Sequence, residues 1–160
     1  MGHKYSSALE RAEPVSPGGA YAEMLASATK SISIRSITVT TGSNIGGMIA
    51  LVRSFGVGTG AATGVGTAVA HRLFSPTTSS RLQVAWTSSG VTPTGYGARF
   101  REEVLPVATG QQRVLWDCEV LGPLTVEPGQ SLLMVNQASG IQAGAVRLNV
   151  TWEEGPARDS

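Results

Sequence analysis

The chain has 160 residues, 41% of them hydrophobic and 14% charged, and a formal charge of +1. That length supplies one proper core, and the balance of apolar to charged residues excludes general disorder. Near-neutrality excludes a global attraction to nucleic acid or an anionic membrane, and a single cysteine excludes an intrachain disulfide scaffold.

The first residues, MGHKYSSALERAEPV, lack the apolar centre of a signal peptide. No run of about 18 apolar residues occurs anywhere, so a soluble protein made in a cytosol is expected. Residues 1–19 read as an extended N-terminal arm. Within them Ser7 and Glu10 have capping-box spacing ahead of a turn or two of helix, which Pro14 ends before SPGG at 16–19. Residues 20–154 have the texture of a β-sandwich domain, and 155–160 form a polar C-terminal tail. In the segment ISIRSITV, apolar and polar residues alternate over 32–34, then Ser36 breaks the parity before Ile37 and Val39, which predicts a bulge or bend. Leu82, Val84 and Trp86 share one face of RLQVAWT, as do Val114, Trp116, Cys118 and Val120 of RVLWDCEV and Val146, Leu148, Val150 and Trp152 of AVRLNVTW. Val84, Trp86, Trp116, Cys118, Leu148, Val150 and Trp152 are expected to line one core.

Turn signals separate eight or nine strands, placed near 20–26, 30–40, 47–55, 67–74, 81–87, 98–106, 112–121, 124–126 with 131–136, and 144–153. The fold class expected is all-β: an antiparallel, jelly-roll-like β-sandwich of eight or nine strands with the N-terminal arm outside it. An immunoglobulin-like sandwich would want seven strands in about 100 residues.

The residues that perform chemistry are scarce. Gly56, Gly58 and Ala61 satisfy G-x-G-x-x-A, yet no acid follows at the ribose-binding distance and no lysine completes a P-loop, so 56–66 reads as an interstrand loop. The only histidines are His3 and His71, which cannot supply the paired histidines of a cupin metal site. Glu102 and Glu103 are adjacent and therefore face opposite sides of a strand. Cys118 alternates with apolar residues, as an inert core thiol does. Asn149-Val150-Thr151 is a chance glycosylation triplet inside a strand, and the myristoylation pattern at Gly2 has no polybasic support. No catalytic, cofactor or metal site is expected.

Charge is unevenly placed. Residues 24–101 contain no acid but carry Lys30, Arg35, Arg53, Arg72, Arg81, Arg99 and Arg101, whereas 102–160 hold eight acids against three arginines. Much of this can cancel across neighbouring strands. Arg35, Arg53, Arg72, Arg81, Arg99 and Arg101 are the candidate inter-subunit contacts, since a guanidinium holds a carboxylate with two hydrogen bonds. The aromatic interleaving of a single-strand nucleic-acid binder is confined to Phe100.

LTVEPGQSLLMVNQASG, followed by AVRLNVTWEE, resembles the small jelly-roll structural proteins of tailed-phage virions. In those, a strand, a PGQ-type turn, a return strand and a final amphipathic strand stand at the C-terminus. The resemblance covers about 140 residues in texture, and its specific part is 124–154. It implies a non-enzymatic virion protein assembled in the host cytoplasm, without cofactors. The likeness points to a head decoration (cement) protein bound to the major capsid protein or another virion protein, or alternatively to a head-fibre or tail component. A homo-oligomer, with a trimer favoured, is implied, with neither a specific nucleic acid nor a membrane as partner. A carbohydrate-binding β-sandwich is a further alternative, but it would need exposed aromatics from a small supply.

Overall fold

The computed structural model describes residues 2–11, 19–41, 47–54, 69–72, 76–83, 96–105, 112–136 and 146–155, with backbone alone at 11, 47, 48, 54, 83 and 96–105. The chain is predominantly β, with antiparallel sheets stacked as a sandwich. In the first sheet the order is β5 (Val69–Ala70), β1 (His3–Arg11), β11 (Val146–Glu154), β3 (Ile32–Thr41) and β8 (Gln112–Asp117), and β9 (Leu124–Val126) also pairs with β3. In the second it is β6 (Arg81–Gln83), β2 (Ala20–Leu25), β10 (Ser131–Asn136), β4 (Gly47–Ser54) and β7 (Tyr96–Leu105). The one helix among the described residues is the turn α1 (Cys118–Leu121).

Among the described residues there are eleven strands, against the eight or nine expected for the chain. Two differences account for the change. The segment read as an arm with a helical turn is β1, paired along its whole length with β11 from His3↔Glu154 to Arg11↔Val146. Tyr5 and Ser7 point into the core, and Tyr5 stacks on Trp152 with ring centroids 5.8 Å apart. Capping-box spacing lost to the burial of one strand face, which offers far more than a helix cap. The run 124–136 is also two strands in different sheets, because the turn between them crosses the sandwich. There Gln130 N–H returns to Glu127 O at 3.0 Å, with Pro128 second and Gly129 third at φ 72°. That is the type II geometry, which glycine accepts without strain. Gly129 N–H also donates to Ser27 O, fixing the turn to the end of β2.

The core lies between the sheets. Val146, Leu148, Val150 and Trp152 are buried, as their alternation requires, against Ile32, Ile34, Ile37 and Val39 of β3 and Met24, Ile49, Leu51, Leu132 and Met134 of the second sheet. On the opposite side of the second sheet, Ala20, Ala50, Val52, Leu133 and Val135 form a separate buried cluster. Burial of both faces explains why MIALV and LLMV are continuous apolar runs where β11 alternates.

The parity expected for β8 breaks at Leu115: Trp116, opposite buried Ile37, keeps the core side, and Val114, opposite Thr38, does not. Leu115 is the buried residue, Val114 is 51% exposed, Trp116 is half-buried, and Cys118 leaves the strand to start α1. A register shift between Ile37 and Thr38 in the β3–β8 ladder causes the change, and Trp116 packs at the core margin with its indole N–H on Gly122 O. Leu82 is buried as expected, while Val84, Trp86, the 56–66 loop and residues 156–160 lie outside the described residues.

Three outcomes follow for stability. Trp152→Ala should cost about 3–5 kcal/mol, because the side chain is fully buried. Trp116→Ala should cost less, about 1–2 kcal/mol for one hydrogen bond and partial packing, with both read from urea unfolding midpoints. Deleting residues 2–11 should abolish the cooperative transition, since it removes an interior strand of the first sheet and uncovers Trp152; an unchanged melting temperature would restore the arm.

Candidate interaction site

The parity break at Ser36 is a β-bulge. Ile34 pairs with Trp152 and Ser36 with Thr151, so Arg35 has no opposite residue on β11. Both Arg35 and Ser36 consequently lie on the outer face, while Ile34 and Ile37 stay inside. On the other side of β3, β8 pairs with residues 36–40 and β9 with residues 32–34. Between them the chain swings away through α1, whose Asp117 cap accepts from Glu119 N–H at 3.0 Å. Arg35 emerges in that gap.

Its guanidinium donates to Glu153 Oε2 and, through Nη1, makes a long contact of 3.9 Å with Cys118 Sγ. The other oxygen, Glu153 Oε1, accepts from Gly2 N–H at 3.1 Å. Glycine is required at position 2, because a Cβ there would stand 2.6 Å from Glu153 Cγ and from Glu154 O. The hydrogen bond from Arg35 holds the Glu153 carboxyl below its ordinary range, with further support from the Gly2 amide. The same bond, then that to Cys118, raises the already high value of Arg35.

Two concavities meet at this ion pair. One, of about 610 Å³, lies toward α1 with Ser33, Cys118, Glu119 and Thr125 in its wall. The other, of about 540 Å³, lies toward β5 with Lys4, His71 and Arg72. Gly2, Arg35 and Glu153 line both, so they form one groove across the outer face. Ser6 Oγ is hydrogen-bonded to His71 Nε2, a contact that the sequence pattern did not signal. A serine–imidazole contact resembles a nucleophile–base pair, yet catalysis also asks for a group orienting the imidazole and donors for an oxyanion. Among the described residues no carboxylate is bonded to His71, and its backbone N–H is taken by Lys4 O.

The expected arginine contacts disperse. Arg35 and Arg72 share the groove. Arg53 is half-buried and donates to Thr125 O at 3.1 Å, joining β4 to β9. Arg81 is exposed on β6, and Arg99 and Arg101 belong to β7 opposite Val52 and Leu51, with side chains outside the described residues. The cancellation of charge between the two halves of the chain is visible in Arg35–Glu153 and in Lys30–Glu154, the latter at 3.5 Å.

Adjacent Glu153 and Glu154 divide their work by face. Glu154 points inward, 4% exposed, and accepts from Thr78 Oγ1 and from Ser80 Oγ at 2.7 Å. A buried carboxylate demands such donors, and meeting that demand ties residues 76–80 to the end of β11. Tyr5 Oη adds a second tie, to Pro76 O at 2.6 Å.

Comparison with protein-family models, curated proteins and solved structures finds no match for this chain.

Because Glu153 titrates below the ordinary carboxylate value of about 4.3 when folded, its pairing adds stability that is complete above that value. The stabilisation is lost as the pH falls through the lower folded value. Glu153→Gln should therefore flatten the decline of melting temperature between about pH 5 and pH 2 relative to the parent chain. Parallel acid limbs for the two proteins would show that the pair adds nothing.

Proposed function

We propose that the chain is a non-enzymatic jelly-roll module of a tailed-phage virion, a decoration or cement protein that binds the head surface and stabilises it. The observation that carries the proposal is the strand order. Strands of the chain populate β1-β11-β3-β8 in one sheet and β2-β10-β4-β7 in the other, an order that supports a reading as two interleaved Greek keys. In this scheme β5 and β6 are additions at the sheet margins, and the 124–136 turn carries the chain between sheets, in keeping with the phage-like C-terminal motif.

The outer face of the first sheet supports a binding role. Its registered rows read Ser6–Thr151–Ser36 and Ala8–Asn149–Thr38, which are short side chains on a broad surface. Such a face admits close approach of another protein. The groove beside it supplies Arg35 and Arg72, the two candidate contact arginines that the fold brings together.

Purified chain mixed with heads lacking it should sediment with them at about 0.05 M salt. It should be released toward about 1 M, where the Debye length falls to about 3 Å, before the domain itself unfolds. Failure to sediment with heads at low salt would end the decoration reading, and sedimentation with tails or fibres would transfer the protein there.

A further inference from the structure

The exposed large hydrophobic side chains among the described residues are Val69 at 60%, Val114 at 51%, Val120 at 78% and Leu121 at 41%. All belong to the two lateral margins of the first sheet. Val69 is on β5, at one margin, and the others are on β8 and α1, at the opposite one. Four strand spacings separate these margins, about 19 Å.

The charges flanking them differ in sign. Beside Val69 stand exposed Lys4 and Arg72, and Arg72 has no carboxylate partner among the described residues. Beside Val120 and Leu121 stand Asp117 and exposed Glu119, with no basic residue in the last turn of α1; Arg35, which reaches Cys118 at the start of that turn, is already paired with Glu153. Arg113 lies toward the other end of β8. An apolar residue flanked by cations is thus presented on one side, and apolar residues flanked by anions on the other. At about 19 Å the two patches cannot satisfy each other within one molecule.

We infer that copies of this chain associate head to tail, the Val69–Arg72 margin of one copy seated on the α1 turn of the next. Contact removes Val69, Val120 and Leu121 from water, and the Arg72 guanidinium takes the Glu119 carboxylate in two parallel hydrogen bonds. Because the two surfaces are different, the contact is heterologous: each added copy leaves one margin unfilled until a ring closes. This deepens the assembly reading above, but its test needs only the purified chain, so loss of self-association and loss of head binding are scored separately.

Light scattering after size exclusion, at loads up to about 1 mM, should give a mass above the monomer that rises with concentration. Val69→Asp and Val120→Asp should each be monomeric, with circular dichroism unchanged. Mixed in equal amounts, the two variants should form a dimer containing one of each, because each retains the margin that the other has lost. Arg72→Glu and Glu119→Arg should each weaken self-association, and the two together in one chain should recover it. These charge variants decide the matter should an aspartate variant fail to fold. A parent chain that stays monomeric throughout, single aspartate variants that still self-associate, a mixture that remains monomeric, or charge reversals without mutual rescue would each overturn the inference. Monomeric behaviour is also the outcome expected if either margin serves a different protein.

Discussion

Strict alternation through β3 would leave either Ile34 or Ile37 facing water, because they are three positions apart and a strand returns to the same face every second residue. Burying such a side chain is worth about 1.5–3 kcal/mol, so the fold keeps both inside and inserts an extra residue in the outer face instead. Much else depends on that insertion. It leaves Arg35 unpaired on the outer face, where Glu153 from the neighbouring strand meets it. The β3 margin beside it is covered by two separate strands, β8 and β9, with α1 displaced between them. The groove, the exposed turn and the acid-linked ion pair therefore share one origin in the packing of two isoleucines.

The dipeptide Glu153-Glu154 shows how the same alternation allots chemistry. The outward carboxylate finds an arginine and a backbone amide, and it remains 21% exposed. The inward one, nearly dry, is satisfied by hydroxyls from residues 78 and 80 and by the partly exposed Lys30. Charge alone would make the two equivalent. The face decides that one organises a surface groove and the other anchors a segment of chain to the core.

The sequence made legible whatever depends on local alternation: β11 and its four buried apolar residues, the β3 bulge and the turn at Gly129. It misled where two local rules competed. In HKYSSALER, Ser7 and Glu10 offer a helix start, yet Tyr5, Ser7 and Leu9 also alternate. Only the presence of Trp152 across the ladder selects the strand, and that information lies 147 residues away. Cys118 failed for a related reason. Parity counted from Val114 assumes an unbroken strand, whereas the ladder shifts and the chain turns out at Asp117. The groove was invisible because Gly2, Arg35 and Glu153 come together only through the register of three strands. The likeness to virion jelly rolls raised the question of assembly without indicating a surface.

The two sheets differ in what they leave for a partner. Ala20, Ala50, Val52, Leu133 and Val135 are at most 2% exposed, so the far side of the second sheet is already buried within the monomer. The first sheet buries Ile, Val and Trp on one face and keeps Ser, Thr and Asn half-exposed on the other. A molecule approaching the described strands therefore meets mostly short polar side chains in the middle of the first sheet and large apolar residues only at its margins. Hydroxyl rows exchange water for protein donors with little net gain, while apolar margins gain from every contact that dries them. Recognition built on this face would accordingly draw its strength from the margins and its alignment from the centre. That division follows from where the sequence places valine and leucine against serine and threonine.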